Sequence, residues 1–279
     1  MLKERVISAI VMAVLFIGAL FLPNIYLLLV FACVVLVAAW EWSNLAGFDR
    51  LIYRVSYVFL AAIALAICFL FSDLSHGLAS YSAQTVLACV VGFWAVGLLW
   101  VMGYPSSSLL WGAPIMRAIM GLFVVVGSWV SIAVLSYQGS ALGMVLYLVA
   151  MIAAADIGAY FSGKTFGKHK LAPAVSPGKT IEGFVGGMAS SVLIAFIGYQ
   201  LGLGGDIALV PWLVLSLAAA LASTLGDLVE SMVKRHRGIK DSGNILPGHG
   251  GIADRIDGIS AGAPVFVLGL ILLSQPISA

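Results

Sequence analysis

Charge is what this chain has least of. Asp, Glu, Lys and Arg make up 9% of its 279 residues, and 62% are hydrophobic. A soluble domain carries about 25% charged residues. That scarcity excludes an ordinary water-soluble globular protein and points to an all-α, polytopic integral membrane protein. The net charge of +2 is too small to argue for a nucleic-acid partner. Cysteine is nearly absent too. Cys33, Cys68 and Cys89 each stand alone in an apolar run, so neither a disulfide framework nor a cysteine zinc site is suggested. They read as small buried hydrophobes. No internal repeat, low-complexity tract or alternating strand pattern appears.

What is there is a series of long apolar runs. A membrane-crossing helix needs about 20 apolar residues. Nine segments qualify: Val6–Leu22, Ile25–Trp40, Tyr53–Phe71, Ala83–Met102, Ile115–Ser136, Ala141–Phe161, Gly183–Leu201, Ala208–Leu228 and Ile259–Leu273. The second and last are short. Lys3 and Arg5 before the first run imitate a signal peptide, but no convincing cleavage site follows, so the run is expected to be an uncleaved span. Pro23-Asn24 reads as a tight turn. With nine alternating spans, all fourteen lysines and arginines fall on one side. The positive-inside rule then places the N-terminus and the basic loops in the cytoplasm. The opposite loops carry only Asp73 and Asp206, with His76. The chain is expected to be one membrane domain, 1–279, in a bacterial cytoplasmic (inner) membrane, with its catalytic part at about 141–279. Gly183 with Gly187, and Gly198 with Gly202, have the four-residue spacing of closely packed helices. Packing within one chain is the first reading and a homodimer face the second.

The few charges are not scattered. Gly226–Gly258 holds five of the twelve acids and five of the fourteen lysines and arginines. Charges this dense beside apolar spans mark where an ionic substrate is handled. Asp227, Ser231 and Lys234 share one helical stripe at the end of the eighth span. Arg235 follows Lys234. Lys240-Asp241 lies between Gly238 and Gly243, and His249-Gly250-Gly251 forms a turn whose backbone N–H groups can approach phosphate oxygens. Asp254, Arg255 and Asp257 come next. Carboxylates gathered from separate helices, with phosphate oxygens and water, suit Mg²⁺. Lysine and arginine neutralise phosphate charge. Zinc would want a set of His and Cys ligands; this segment has no cysteine and only His236 and His249.

Earlier in the chain, Asp156 lies within the sixth span, where an ionisable group is a functional candidate by default. Glu41, between Trp40 and Trp42, reads as an interfacial residue of an aromatic belt. GAYFSGKT, Gly158–Thr165, formally matches the phosphate loop of nucleotide hydrolases, but that motif needs a preceding strand. The preceding residues belong to an apolar span, so that reading is set aside and only a looser role for Lys164 near phosphates is kept. SPGKTIEG, Ser176–Gly183, offers the Ser176 and Thr180 hydroxyls and the Lys179 cation just before a helix N-terminus, where anions bind.

The segment Ser231–Asp257, SMVKRHRGIKDSGNILPGHGGIADRID, resembles the signature of the phosphatidate cytidylyltransferases, the CDP-diacylglycerol synthases. Their pattern is S-x-x-K-R, four residues, K-D, then a loop ending H-G-G-x-x-D-R-x-D, and every defined position is met. SPGKTIEG, with Asp156 and Tyr160, is similar to the family's second block. The resemblance covers about the last half of the chain. It implies an enzyme of phospholipid biosynthesis that condenses CTP with phosphatidic acid to CDP-diacylglycerol and pyrophosphate, using Mg²⁺ with K⁺ as a candidate second cation. It places Asp227 and Asp254 as metal carboxylates and Lys234, Arg235, Lys240 and Arg255 at basic signature positions. Asp257 would be a third ligand or a partner of the bases. Asp156, Ser176, Lys179, Thr180, Lys240, His249, Gly250 and Gly251 are the expected substrate-binding residues. The expected partners are CTP, phosphatidic acid and the surrounding lipids. A transporter would place its site at the midplane of a repeated fold, and no repeat is present. The D-G-x-x-A-R arrangement of CDP-alcohol phosphotransferases is absent: Asp257-Gly258 is followed by Ile259, Ser260 and Ala261.

Overall fold

The protein is described from a computed structural model, over residues 2–74, 80–138, 141–246, 248 and 250–274. Helices follow the apolar runs: α1 Leu2–Leu20, α2 Asn24–Ala46, α3 Leu51–Phe71, α4 Tyr81–Met102, a short α5 Ser108–Trp111, α6 Pro114–Ser136, α7 Ala141–Phe166, α8 Ile181–Gln200, α9 Leu209–Arg237 and α10 Ala253–Ser274. Among the described residues, α2, α3, α4, α6, α7, α8, α9 and α10 are long and apolar enough to cross a membrane. In α1 a shorter apolar stretch, Ile10–Leu20, accompanies them. The polytopic helical architecture is therefore as expected from the sequence.

Three boundaries differ, each for a physical reason. The second helix does not stop at Trp40: it runs to Ala46, because Glu41 is buried inside the protein rather than facing the membrane interface. The seventh runs to Phe166, so GAYFSGKT is helical and Lys164 stands over the Tyr160 ring. The last begins at Ala253, which puts Asp254 and Asp257 in its opening turns. Between α7 and α8 the chain also makes an antiparallel hairpin, β1 Lys170–Ala172 with β2 Ser176–Thr180. Ser176–Thr180 is thus a strand rather than an open loop. Pro177 and Gly178 sit in it with their side-chain positions exposed, as suits the edge of a two-stranded ribbon.

Helix α6 is the centre: 78% of its most apolar window is buried, against 17% for α3. It packs on α2, α3, α4 and α10, and α7 and α8 lie along each other. Buried indoles join helices by donating to backbone carbonyls. Trp42 donates to Arg117 O at 2.8 Å, Trp94 to Ser260 O at 3.0 Å, Trp129 to Leu28 O at 3.0 Å and Trp212 to Ala195 O at 2.8 Å. In an apolar medium each bond satisfies an N–H that would otherwise be costly to bury.

The small residues of α8 are consumed within the chain. A Cβ on Gly187 would sit 2.6 Å from Ala155 O, one on Gly183 2.8 Å from Ala159 O, and one on Gly198 2.6 Å from the Tyr147 ring, all on α7. Packing within the chain, the first reading, thus accounts for these three glycines, while Gly202 has nothing within 4 Å. Cys33 and Cys89 are exposed on apolar helices and Cys68 is half-buried, so they are not core residues. On helices α2 and α4 such positions suit lipid, which accepts a small apolar side chain as readily as protein does.

Polar contacts gather at one end of the bundle. Arg117, at the start of α6, donates to Leu45 O near the end of α2 at 2.7 Å. Arg237, at the end of α9, donates to Asn44 O and pairs with Asp49 at 2.5 Å. Left-handed glycines close both helices, Gly47 after α2 and Gly238 after α9. The end of α9 thus stands against the α2–α3 turn, and the charged segment after it folds back over this end.

Candidate active site at the ends of four helices

The sequence places two acids near the end of α9 and two at the start of α10. Packing brings them together. Gly226 lets α10 approach so closely that any Cβ there would overlap Asp257 O. Asp227, the next residue, lines one cavity with Asp156 and Lys179, and Asp257 stands across the α9–α10 contact from Gly226. Three helices and the hairpin thus deliver acids and bases to one place.

Beside it is a cavity of about 460 Å³. Asp156, Tyr160 and Lys164 line it from α7, Lys179 and Thr180 from β2, and Asp227 from α9. Lys179 Nζ lies 2.5 Å from Asp227 Oδ2, and the Ser231 hydroxyl donates to Asp227 Oδ1 at 3.1 Å. The helical stripe of Asp227 and Ser231 is therefore real, and β2 supplies the cation.

A second knot lies deeper. Lys234 Nζ donates to Asp254 Oδ1 at 2.6 Å and pairs with Glu230 Oε1 at 3.3 Å. Asp254 Oδ2 accepts the Gly251 N–H at 2.8 Å and the Ser242 N–H at 3.0 Å. Asp254 thus folds the glycine turn onto its own helix. Gly250 has φ 78°, a left-handed conformation that favours glycine.

Several expected residues have other work. Gly251 N–H is taken by Asp254 rather than left free for a phosphate. Thr180 lines the cavity and caps α8, accepting Gly183 N–H at 3.1 Å. Arg235 donates to Val175 O at 3.3 Å, clasping the hairpin. Ser176 opens β2 opposite Ala172 and is not among the cavity-lining residues. Lys240 and Arg255 are exposed, and His249 lies outside the described residues.

Two residues were missed. Glu230 is 1% exposed, and neither of its carboxylate oxygens has a hydrogen-bond partner among the described residues. Its position four residues before Lys234 was the available signal. Glu41 is 2% exposed and accepts the Ala253 N–H at 2.8 Å and the Ser242 hydroxyl at 3.3 Å. Nothing local in α2 distinguishes it from a residue at the membrane interface.

The donors match what a hard divalent cation takes. Asp227 and Asp254 offer carboxylate oxygens, and each already faces a lysine ammonium group. No three His, Cys, Asp or Glu side chains converge as a metal cage among the described residues. Mg²⁺ commonly uses one or two carboxylates and fills its remaining positions with phosphate oxygens and water.

Fold and site together define a polytopic helical membrane protein with clustered carboxylates and lysines beside a cavity. The comparisons narrow that class. The model of the cytidylyltransferase family matches residues 3–273, and the chain belongs to that family. It is 40% identical to the phosphatidate cytidylyltransferase of Pseudomonas aeruginosa over 267 residues, which is 95% of this chain and 96% of the relative. It is 36% identical to that of Haemophilus influenzae over 95% of this chain and 97% of the relative. That of Bacillus subtilis matches over 130 residues at 46% identity, covering 47% of this chain and 48% of its own.

Proposed function

We propose that this chain transfers the cytidylyl group of CTP to phosphatidic acid, giving CDP-diacylglycerol and pyrophosphate. The observation that carries the site assignment is the pairing of Lys179 with Asp227 on the cavity wall, next to the Lys234–Asp254 pair. The phosphate monoester of phosphatidic acid has a second pKa of about 6, like other phosphomonoesters. It is already a nucleophile near neutral pH and needs no strong base from the protein. One of its oxygens attacks the α-phosphorus of CTP in line. The bond from that phosphorus to the bridging oxygen of the β-phosphate breaks, and pyrophosphate leaves with the electron pair.

The residues divide the work by charge and position. Lys179 leaves Asp227 for a phosphate oxygen when substrate enters, and Thr180 and Lys164 line the same space. Asp156 faces the cavity from α7 and balances Lys179 and Arg255. Lys234 is held by two acids and keeps Asp254 in place, while Arg255 and Lys240 at the surface meet the triphosphate. Arg235 acts through the hairpin, whose Lys179 it steadies. Gly250 and Gly251 let the turn close on Asp254, and Ser176 opens the strand that carries Lys179 to the cavity. Asp257, across the α9–α10 contact, is a third ligand or a partner of the bases.

Mg²⁺, with K⁺ as a second cation, would be held by Asp227 and Asp254; it would supply charge stabilisation for the triphosphate and the leaving group. The catalytic part is 141–279, the site faces the cytoplasm and the membrane is the bacterial inner membrane. This agrees with the gathering of Arg117, Arg237 and the signature at one end of the bundle.

The test is purified protein in detergent with phosphatidic acid, Mg²⁺ and CTP labelled at the α-phosphate. Label should enter the lipid phase, and fall by at least about a hundredfold in folded Asp227→Asn and Asp254→Asn, as when a charge-stabilising group is removed. Labelled lipid at the wild-type rate in either variant removes that aspartate from the site. No labelled lipid from wild type with Mg²⁺ and K⁺ present overturns the reaction.

A further inference from the structure

Glu41 lies in the half of the chain that the signature does not reach. Its carboxylate nevertheless holds the signature together. Ala253 is the first residue of α10, and its N–H is among those that a helix cannot satisfy internally. The usual cap is the side chain just before the helix, but Ile252 has no acceptor to offer. Glu41 Oε2 accepts that N–H from α2. A negative group there also suits the positive end of the helix.

The fit around this carboxylate is close. Any Cβ on Gly243 would overlap Glu41 Oε1, and any Cβ on Gly251 would overlap Oε2. Ser242 links the two acids: its N–H donates to Asp254 and its hydroxyl to Glu41. Glu41 Oε1 is buried with no hydrogen-bond partner among the described residues. A buried charge of this kind costs free energy that packing alone does not require. An apolar residue would serve a purely structural contact between α2 and α10 better.

We propose that Glu41 is a positioning residue for cytidylyl transfer, which fixes Ser242, Gly251 and the start of α10 so that the Asp254 carboxylate is presented to Lys234. The proposal rests on the reading of Asp254 as a site residue. It also makes the first half of the chain part of the active site.

The experiment uses the full chain in detergent with phosphatidic acid. Glu41→Gln keeps the shape and one acceptor but removes the charge. Its kcat per folded molecule should fall about 10–100-fold, as for groups that orient site ligands, with the KM for CTP within about threefold of wild type. Hydrogen exchange of peptides covering 250–256 should quicken, while peptides from the middle of α10 stay protected. A wild-type kcat, or a loss that tracks only the folded fraction, overturns the proposal, and so does unchanged exchange at 250–256. If Glu41→Gln does not fold, Ser242→Ala takes its place. Its kcat should fall in the same direction by less, and a wild-type kcat there also overturns it. Asp254→Asn run in parallel separates the two readings. An active Asp254→Asn withdraws the site assignment, whereas an impaired one beside a wild-type-like Glu41→Gln withdraws Glu41 alone.

Discussion

Lys234 should be the most costly single side chain to remove from this site. Its side chain is 10% exposed, those of Asp254 and Glu230 8% and 2%. One ammonium thus serves two buried acids. The pair with Asp254 has good geometry, at 2.6 Å, and Asp254 gains two backbone N–H bonds besides. Glu230 has no hydrogen bond among the described residues, so Lys234 is its compensation. Removing one partner of a buried ion pair costs about 3–5 kcal/mol, because the other charge is left uncompensated. Lys234→Met keeps the volume and strands two acids, which places it at the upper end. Glu230→Gln removes the acid with the poorer contacts and should cost far less. In the double variant the stranded charge is halved, so the two losses should not add; the coupling should be about 1–3 kcal/mol in the stabilising direction. Unfolding of the four proteins in lipid bicelles, titrated with SDS, measures the cycle. Additive losses would refute the argument that one lysine serves both acids. A Lys234→Met protein as stable as wild type would refute the burial argument altogether.

Two further outcomes follow from the packing. Gly226→Ala would drive a methyl group into Asp257 O, so the variant should be poorly folded and inactive; Gly92→Ala, in α4 with nothing within 4 Å of the added carbon, should express and melt like wild type. Fluorescence-detected gel filtration after heating compares them, and a stable Gly226→Ala would mean that α9 and α10 are not held this closely. At the surface, Asp49→Asn breaks the pair with Arg237, but Asp49 is 77% exposed. Its loss should change activity by less than about twofold, since exposed pairs contribute only about 0–1 kcal/mol. A large effect would show that the α2–α3 turn clamps α9 more firmly than this contact implies.

The membrane helices were legible because their signal is additive. A long run such as Ile115–Ser136 is apolar along most of its length, and each such run carries the signal by itself. The errors fall where one charged residue was read as a boundary. Trp40-Glu41-Trp42 looks the same on paper whether Glu41 meets headgroups or a distant helix N-terminus. Only the fold supplies Ala253, 212 positions away, as the reason that α2 continues to Ala46. The hairpin was hidden for another reason. SPGKT has neither the alternation nor the β-branched content of a strand, and its form is imposed by pairing with β1, by Arg235 on Val175 and by Glu182 accepting the Lys168 N–H.

The site divides along the same line. Asp227 with Ser231 was readable, since helical spacing alone puts them together. The Lys179–Asp227 pair was not, because nothing in either segment encodes their meeting. Nor does local pattern reveal that Gly251, read as a phosphate cradle, gives its N–H to Asp254 while lying against Glu41. A glycine that a turn needs and a glycine that two carboxylates need look identical in one sequence. The signature is therefore better understood as a folding unit than as a row of substrate contacts. Lys234, Ser242 and Gly251 all bind Asp254, Glu41 closes the unit from α2, and the cavity beside Asp227 and Lys179 lies outside it.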